Sequence, residues 1–387
     1  MDYIKILKDI VAIDTTVPPG NNYNKALAWL EPFFREAGCD TEVVDIPPEH
    51  AEGREGRGAL ICHRRQAGKP RLIFYAHIDV VPAEGWDAFS PRLEAGKLYG
   101  RGSADMKGAI VSLLLGLEAV RDKPLKYDVS VMVTTDEELS QASQVLYLQP
   151  YLEPVKGARF FSLDSNFGAV GITGLGALQL DIKVKGKSVH SGLSHLGVNA
   201  VEQSQPLIQA LLKLKEKVIQ RKSAVPVSPD TGLTHMEARL NINMIHGGLK
   251  VNIVPDECII SVDRRLIPEE NVAAAEREIL GALSAVKGVA WEISRKMFIP
   301  TVPPCDDPMV DELDKVILKV TGRSGKYGEM GSGDLGHIVH YTWQGQEFGL
   351  GVIRTESCIH GKDEFVYIKD VEDLGRIIGL FLNPGLS

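Results

Sequence analysis

Three apolar runs in this 387-residue chain each lead into side chains that a sheet does not ordinarily place at a strand end. Leu72 to Tyr75 runs into His77 and Asp79, Val129 to Val133 into Asp136-Glu137-Glu138, and Phe160 to Leu163 into Asp164. Short continuous apolar runs suit strands covered on both faces. Between and around them the spacing predicts helices: Ile4 to Val11, Ala26 to Ala37 closed by Gly38, and Ala109 to Val120. Further strand-like runs cover Thr41 to Val44 and Ala59 to Cys62. Strands alternating with helices imply an α/β domain with a largely parallel sheet. The carboxyl edge of such a sheet is where sites form, and the acids and imidazole fall there.

The middle of the chain follows another rule. Leu178 to Val184, Glu237 to Ile245 and Glu257 to Leu266 alternate apolar and polar residues, as half-buried strands do. Val198 to Ile219 and Val272 to Val286 read as helices, and Ala290 to Ser294 as a further short strand. This order predicts a compact α+β unit inserted in the larger domain. The expected boundaries are residues 1–173 and 289–387 for the two parts of the catalytic domain and 174–288 for the insert. A length of 387 residues also favours two cores over one.

Composition excludes more than it selects. Lys and Arg number 43 against 51 Asp and Glu, a net charge of −8 without a basic stripe, so no nucleic-acid partner is expected. No run approaches the ~20 apolar residues that cross a bilayer, and the N-terminus lacks a secretory core, so no membrane partner and a cytoplasmic location are expected. Five scattered cysteines without a CxxC pair speak against a disulfide framework and against a zinc finger.

Five segments carry the chemistry. In His77-Ile78-Asp79 the residues at i and i+2 point the same way on extended backbone, so Asp79 can stand behind His77 and set its tautomer. Asp105 sits in the glycine-rich turn Gly100 to Gly108, ahead of a helix. Asp136-Glu137-Glu138 are three consecutive acids that repel one another unless cations neutralise them. Asp164 ends a strand, and His360 lies in Ile359 to Glu364. Singly, each has an ordinary explanation: a polar loop residue, a helix cap, a solvated loop. Together, two imidazoles and three carboxylates suit a pair of zinc-like ions.

These segments resemble the co-catalytic metallo-aminoacylase and carboxypeptidase family, peptidase family M20, which includes acetylornithine deacetylase, succinyl-diaminopimelate desuccinylase, aminoacylase and glutamate carboxypeptidase. The stretches that carry the resemblance are, in order, HIDVVP, GRGSADMKG, TTDEE, SLDSN, VHSGLSHLGVNAVE, GGLKVNIVPDECIISVDRR and CIHGKDE. They span nearly the whole chain. The resemblance implies a zinc-peptidase-like catalytic domain with an inserted ferredoxin-like lid or dimerisation domain. It implies two divalent ions, Zn²⁺ foremost with Co²⁺ or Mn²⁺ as alternatives. His77, Asp105 and Asp164 would hold one ion, and Asp105, Glu138 and His360 the other, with Asp105 bridging. Glu137 would be the general base towards an activated water, and the Asp105-Met106 peptide would be cis. It further implies that Asn243 contacts substrate and that His190 assists the reacting carbonyl in the site of a partner subunit, in a homodimer. Arg265, with Arg264 as the spare, would pair with a substrate carboxylate. Gly331 to Asp334 would line the pocket.

The reaction expected is hydrolysis of the amide bond of a small N-acyl amino acid, with a dipeptidase or carboxypeptidase as the alternative and an inactive metal-binding protein as the third reading. The glycines from Gly171 to Gly176 precede an alternating strand instead of a helix, so they read as a hinge and not as a nucleotide loop. No G-x-S-x-G serine elbow occurs.

Overall fold

The computed structural model describes residues 2–333 and 335–386. An eight-stranded mixed sheet forms the frame, in the spatial order 40–46, 57–64, 128–134, 71–77, 159–162, 346–349, 170–173, 326–328. The four central strands, Asp128–Thr134, Arg71–His77, Arg159–Ser162 and Gln346–Gly349, run parallel. At the 40–64 edge the strands pair antiparallel, 40–46 with 57–64 and 57–64 with 128–134. Every residue of Arg71–His77 is buried, as a strand with helices on both faces should be.

One face of the sheet is covered by the helices Tyr3–Val11, Tyr23–Glu36, Gly108–Ala119, Pro308–Thr321 and Ile368–Leu382. Gly108–Ala119 is apolar all round because it lies between the sheet and Ile368–Leu382. Gly116 sets that approach: a Cβ there would lie 2.6 Å from Cγ2 of Ile378. The other face is covered by short helical segments, with Trp343 stacked on Phe160 at 5.2 Å. Phe161 joins Phe74, Phe348 and Phe381 in one aromatic cluster directly behind the strand ends that carry the site.

The insert is a four-stranded antiparallel sheet in the order 239–247, 257–266, 176–185, 290–299, with Ala200–Val218 and Val272–Ala285 on one face. This β-α-β-β-α-β order is ferredoxin-like. Gly176–Lys185 alternates buried and half-exposed residues, as a sheet covered on one side requires. The expected boundary at residue 288 falls short. Ala290–Ile299 pairs with Gly176–Lys185 along its length, so the insert runs on to Ile299. A register shift between Ile293 and Arg295 breaks the alternation there and hides the second half of the strand. The chain crosses between the two sheets at Gly174–Leu175, where the glycine run was read as a hinge, and returns after Ile299. Among the described residues no helix is long and apolar enough to cross a membrane.

Phe161→Ala removes the centre of the aromatic cluster. A loss of ~3–5 kcal/mol is expected, the usual cost of emptying a large core site, and urea unfolding monitored by circular dichroism measures it.

Candidate metal centre

Four of the expected ligands arrive from three neighbouring parallel strands and one glycine turn. His77 is the last residue of its strand, fully buried, and Asp164 follows Ser162 by two residues on the next strand. Glu137 and Glu138 follow the strand Asp128–Thr134, paired on the other side of Arg71–His77. Asp105 lies in the turn before Gly108–Ala119, and its peptide to Met106 is cis, as the resemblance implied. In that turn Gly102 has φ +79°, and a Cβ on it would meet Val80 at 2.5 Å. His360 comes from the loop before the strand Phe365–Tyr367.

Asp105 stands between the two imidazoles. One carboxylate oxygen is 3.3 Å from Nε2 of His77 and the other 3.3 Å from Nε2 of His360. His360 Nε2 is also 3.2 Å from Glu138, and His77 Nε2 is 4.0 Å from Asp164. Two clusters result whose ligand atoms lie within 4.8 Å of one another: His77, Glu137 and Asp164, and Asp105, Glu138 and His360. Nδ1 of His77 faces the backbone carbonyl of Asp79 at 3.1 Å and its carboxylate at 3.5 Å, so the expected Asp79 partnership is shared with its own main chain. The other Asp79 oxygen accepts from the Glu138 amide at 3.0 Å, which ties the two ligand segments together.

Charge dominates the electrostatics. Burial pushes the Glu137 carboxyl well above its usual range, with His77 opposing the rise and Asp164 and Glu138 adding to it. Burial and then the Asp105 charge raise Asp164 to about 7. Burial works against the ionised form of Asp105, yet His360 and His77 hold it well below the carboxylate range. Burial also disfavours charge on His77, but Asp105 and Asp79 keep its imidazole well above the usual value. Asp105 and Glu138 lift His360 to about 10. The crowded carboxylates thus favour positive charge beside Asp105 on both sides. Divalent ions fit these places. His77 Nε2 and one Asp105 oxygen are buried and make no hydrogen bond although they are 3.3 Å apart. Imidazole with carboxylate is a zinc-type donor set.

Some contributors were not foreseen. Glu364, buried, accepts from Arg101 at 2.6 Å and from the amides of Gly102, Ala104 and Asp105 at 3.0, 3.0 and 3.2 Å, and so holds the turn that presents Asp105. Its signal was an acid placed directly before the apolar strand Phe365–Tyr367. Glu329 and Glu347 line the same cavity. Burial raises both, Glu347 to about 8 with Glu329 and Asp164 adding to the effect.

That cavity measures about 1200 Å³. Arg265 lines it, donating to Ser332 at 3.0 Å and to Asp263 at 2.8 Å. Arg264 is buried instead and paired with Glu270, which removes it as the spare. Gly331, Ser332 and Gly333 line the cavity as expected, and Asp334 lies outside the described residues. His190 and Asn243 do not line it; both are exposed on the insert.

Fold and site define a metal-dependent hydrolase acting on amide bonds. The sequence profile of "Peptidase family M20/M25/M40" matches residues 73–383, and the chain belongs to that family. It is 27% identical over 363 residues to a succinyl-diaminopimelate desuccinylase of Thioalkalivibrio sulfidiphilus, covering 88% of this chain and 92% of the relative. A probable succinyl-diaminopimelate desuccinylase of Staphylococcus epidermidis is 25% identical over 342 residues, covering 82% and 79%. Among solved structures, an M20 family metallo-carboxypeptidase from Sulfolobus solfataricus superposes with a TM-score of 0.78 at 16% identity, covering 98% of both chains. Human carnosine dipeptidase 1 gives 0.74 at 17%, covering 98% of this chain and 96% of that one. These two likenesses concern the fold.

With His77 and His360 as the expected ligands, binding of metal would displace protons from imidazoles whose pKa values lie above that of free imidazole. Apparent affinity therefore rises with pH through neutrality and falls in acid. Calorimetric titration of the apo-protein with Zn²⁺ in buffers of different ionisation enthalpy should show net proton release and two ions bound. His360→Ala should bind one.

Proposed function

We propose that the chain hydrolyses the amide bond of a small N-acyl amino acid, a reaction of the acetylornithine deacetylase and succinyl-diaminopimelate desuccinylase type. The observation that carries this reading is the placement of Asp105 between His77 and His360, beside Glu137 and in one cavity with Arg265. His77, Asp105 and Asp164 would hold one ion and Asp105, Glu138 and His360 the second, most simply Zn²⁺, with Co²⁺ or Mn²⁺ able to replace it. When bound, such ions supply Lewis-acid polarisation of the carbonyl and acidify a water.

The side chains do the rest. Glu137, raised by burial, accepts the proton of the attacking water and returns it to the departing amine nitrogen. Asp79 holds His77 in one orientation and fixes the Glu138 amide. Arg265 pairs with the substrate carboxylate.

Charge narrows the substrate. Arg265 is the one lysine or arginine among the described residues that line the cavity, whereas Asp306, Glu329 and Glu347 add carboxylates beyond the metal centre. A substrate with one carboxylate and an amine suits these walls better than one with several carboxylates. That inventory also supports the second reading, a dipeptidase, since a dipeptide offers one carboxylate and one ammonium. Assay of N-acetyl and N-succinyl amino acids and dipeptides with Zn²⁺, Co²⁺ and Mn²⁺ separates the readings. No hydrolysis of any of them would leave only the inactive metal-binding protein. Glu137→Gln should retain both ions and lose about 10²–10⁴-fold in kcat, the range of general acid–base catalysis; an unchanged rate takes Glu137 out of the base role.

The insert is proposed to join two copies of the chain. Arg239–Gly247 is an open sheet edge, and Met244, Ile245, Leu249, Val251, Ile253, Val198 and Val201 expose 38–101% of their surface around it. An open edge beside several exposed apolar side chains calls for a cover. His190, paired with Ile253, and Asn243 lie in this region, outside their own cavity, which agrees with a role in the partner's site. Light scattering should report a dimer for the wild type and a monomer for Ile245→Asp with Val251→Asp. A wild-type monomer would overturn the assembly.

A further inference from the structure

Glu137 and Glu138 share a turn with an acid that faces the other way. Asp136 is fully buried and adopts φ +66°, a left-handed conformation that a residue with a Cβ rarely holds unless its surroundings enforce it. Its carboxylate accepts four hydrogen bonds. Tyr23 donates to one oxygen at 2.9 Å; Arg54 Nε, Arg57 Nε and Gln144 donate to the other at 2.7, 2.8 and 3.1 Å. Arg54 also donates to the carbonyl of Ser140 at 2.8 Å, so one guanidinium grips the turn near both of its ends. Arg57 is itself fixed by the carbonyls of Pro19 and Glu55 at 2.8 and 2.6 Å and lies against the Tyr23 ring. The acid run thus divides its work. Asp136 is neutralised by two arginines, Arg54 just before the strand Arg57–Arg64 and Arg57 at its start, while Glu137 and Glu138 remain free to face the metal centre.

We propose that Arg54, Arg57 and Tyr23 are positioning residues that act through Asp136 to hold Glu137 and Glu138 at the metal centre. They touch neither substrate nor ion. The inference rests on the assignment of Glu138 as ligand and Glu137 as base. Outer partners of ligands set ligand orientation, and their loss ordinarily costs about 10–100-fold in metal affinity or activity.

The test uses Arg54→Gln, which removes both grips and leaves every metal ligand in place. Co²⁺ titration of the apo-protein, followed by its visible absorption, should show two ions in the wild type. In the variant one of the two should bind about tenfold or more weakly and the other unchanged. With a hydrolysed substrate, kcat should fall by a similar factor with KM within about twofold, and the fall should shrink when Glu137→Gln is already present, because the part of the loss that acts through Glu137 is then not additive. Tyr23→Phe, which removes one donor and keeps the ring, should shift both readouts the same way by less, and it decides the matter if Arg54→Gln does not fold. Wild-type Co²⁺ binding and turnover in these variants, or a loss undiminished in the Glu137→Gln background, would overturn the proposal. Full turnover by Glu137→Gln alone would remove the base assignment, and the Co²⁺ titration would still decide whether the clamp holds Glu138.

Discussion

Carboxylates crowded at one sheet edge repel each other, and the protein resolves that repulsion with cations of two kinds. Arginine meets the acids that serve the scaffold: Arg54 and Arg57 on Asp136, Arg101 on Glu364. Imidazoles meet Asp105 from both sides, and on the proposed reading the cation there is exchangeable, because a proton can leave and a divalent ion can take its place. The distinction separates structure from site. Arginine keeps its proton at any working pH, so the acids it holds are permanently engaged. Glu137, Glu138 and Asp164 have no arginine partner, and burial raises the pKa values of all three.

The parallel strands make this crowding possible. Adjacent strands in register deliver His77, Asp164 and the Glu137-Glu138 turn to the same edge, while the covered faces exclude water from behind them. The aromatic cluster of Phe74, Phe161, Phe348 and Phe381 gives those strand ends a stiff backing. Asp105 and His360 come from elsewhere in the chain, and Glu364 joins their segments by accepting from the Asp105 turn while lying four residues after His360.

The parts of this arrangement legible in the sequence are the local ones. An apolar run followed by His77 or by Asp136-Glu137-Glu138 announces a strand and its end within a dozen residues, and the alternation from Glu257 to Leu266 announces a half-buried strand. What stayed hidden depends on contacts between distant segments. Glu364 matters because three amides some 260 residues earlier point at it. Glu329 and Glu347 line the cavity because short strands bring them there, and no periodicity announces strands of three or four residues. The strand Ala290–Ile299 was half visible, since its bulge interrupts the pattern that would have revealed the rest.

The cavity wall is assembled from two bodies. Arg265 belongs to the inserted sheet, the acids and imidazoles to the large one, and the chain passes between them only at Gly174–Leu175 and after Ile299. On the proposed reading, a molecule gripped at its carboxylate by one body and cut by the other is measured like a bolt in a caliper. Drift in the insert can reset the jaw width, and with it which molecules fit, without altering a single atom of the hydrolytic apparatus.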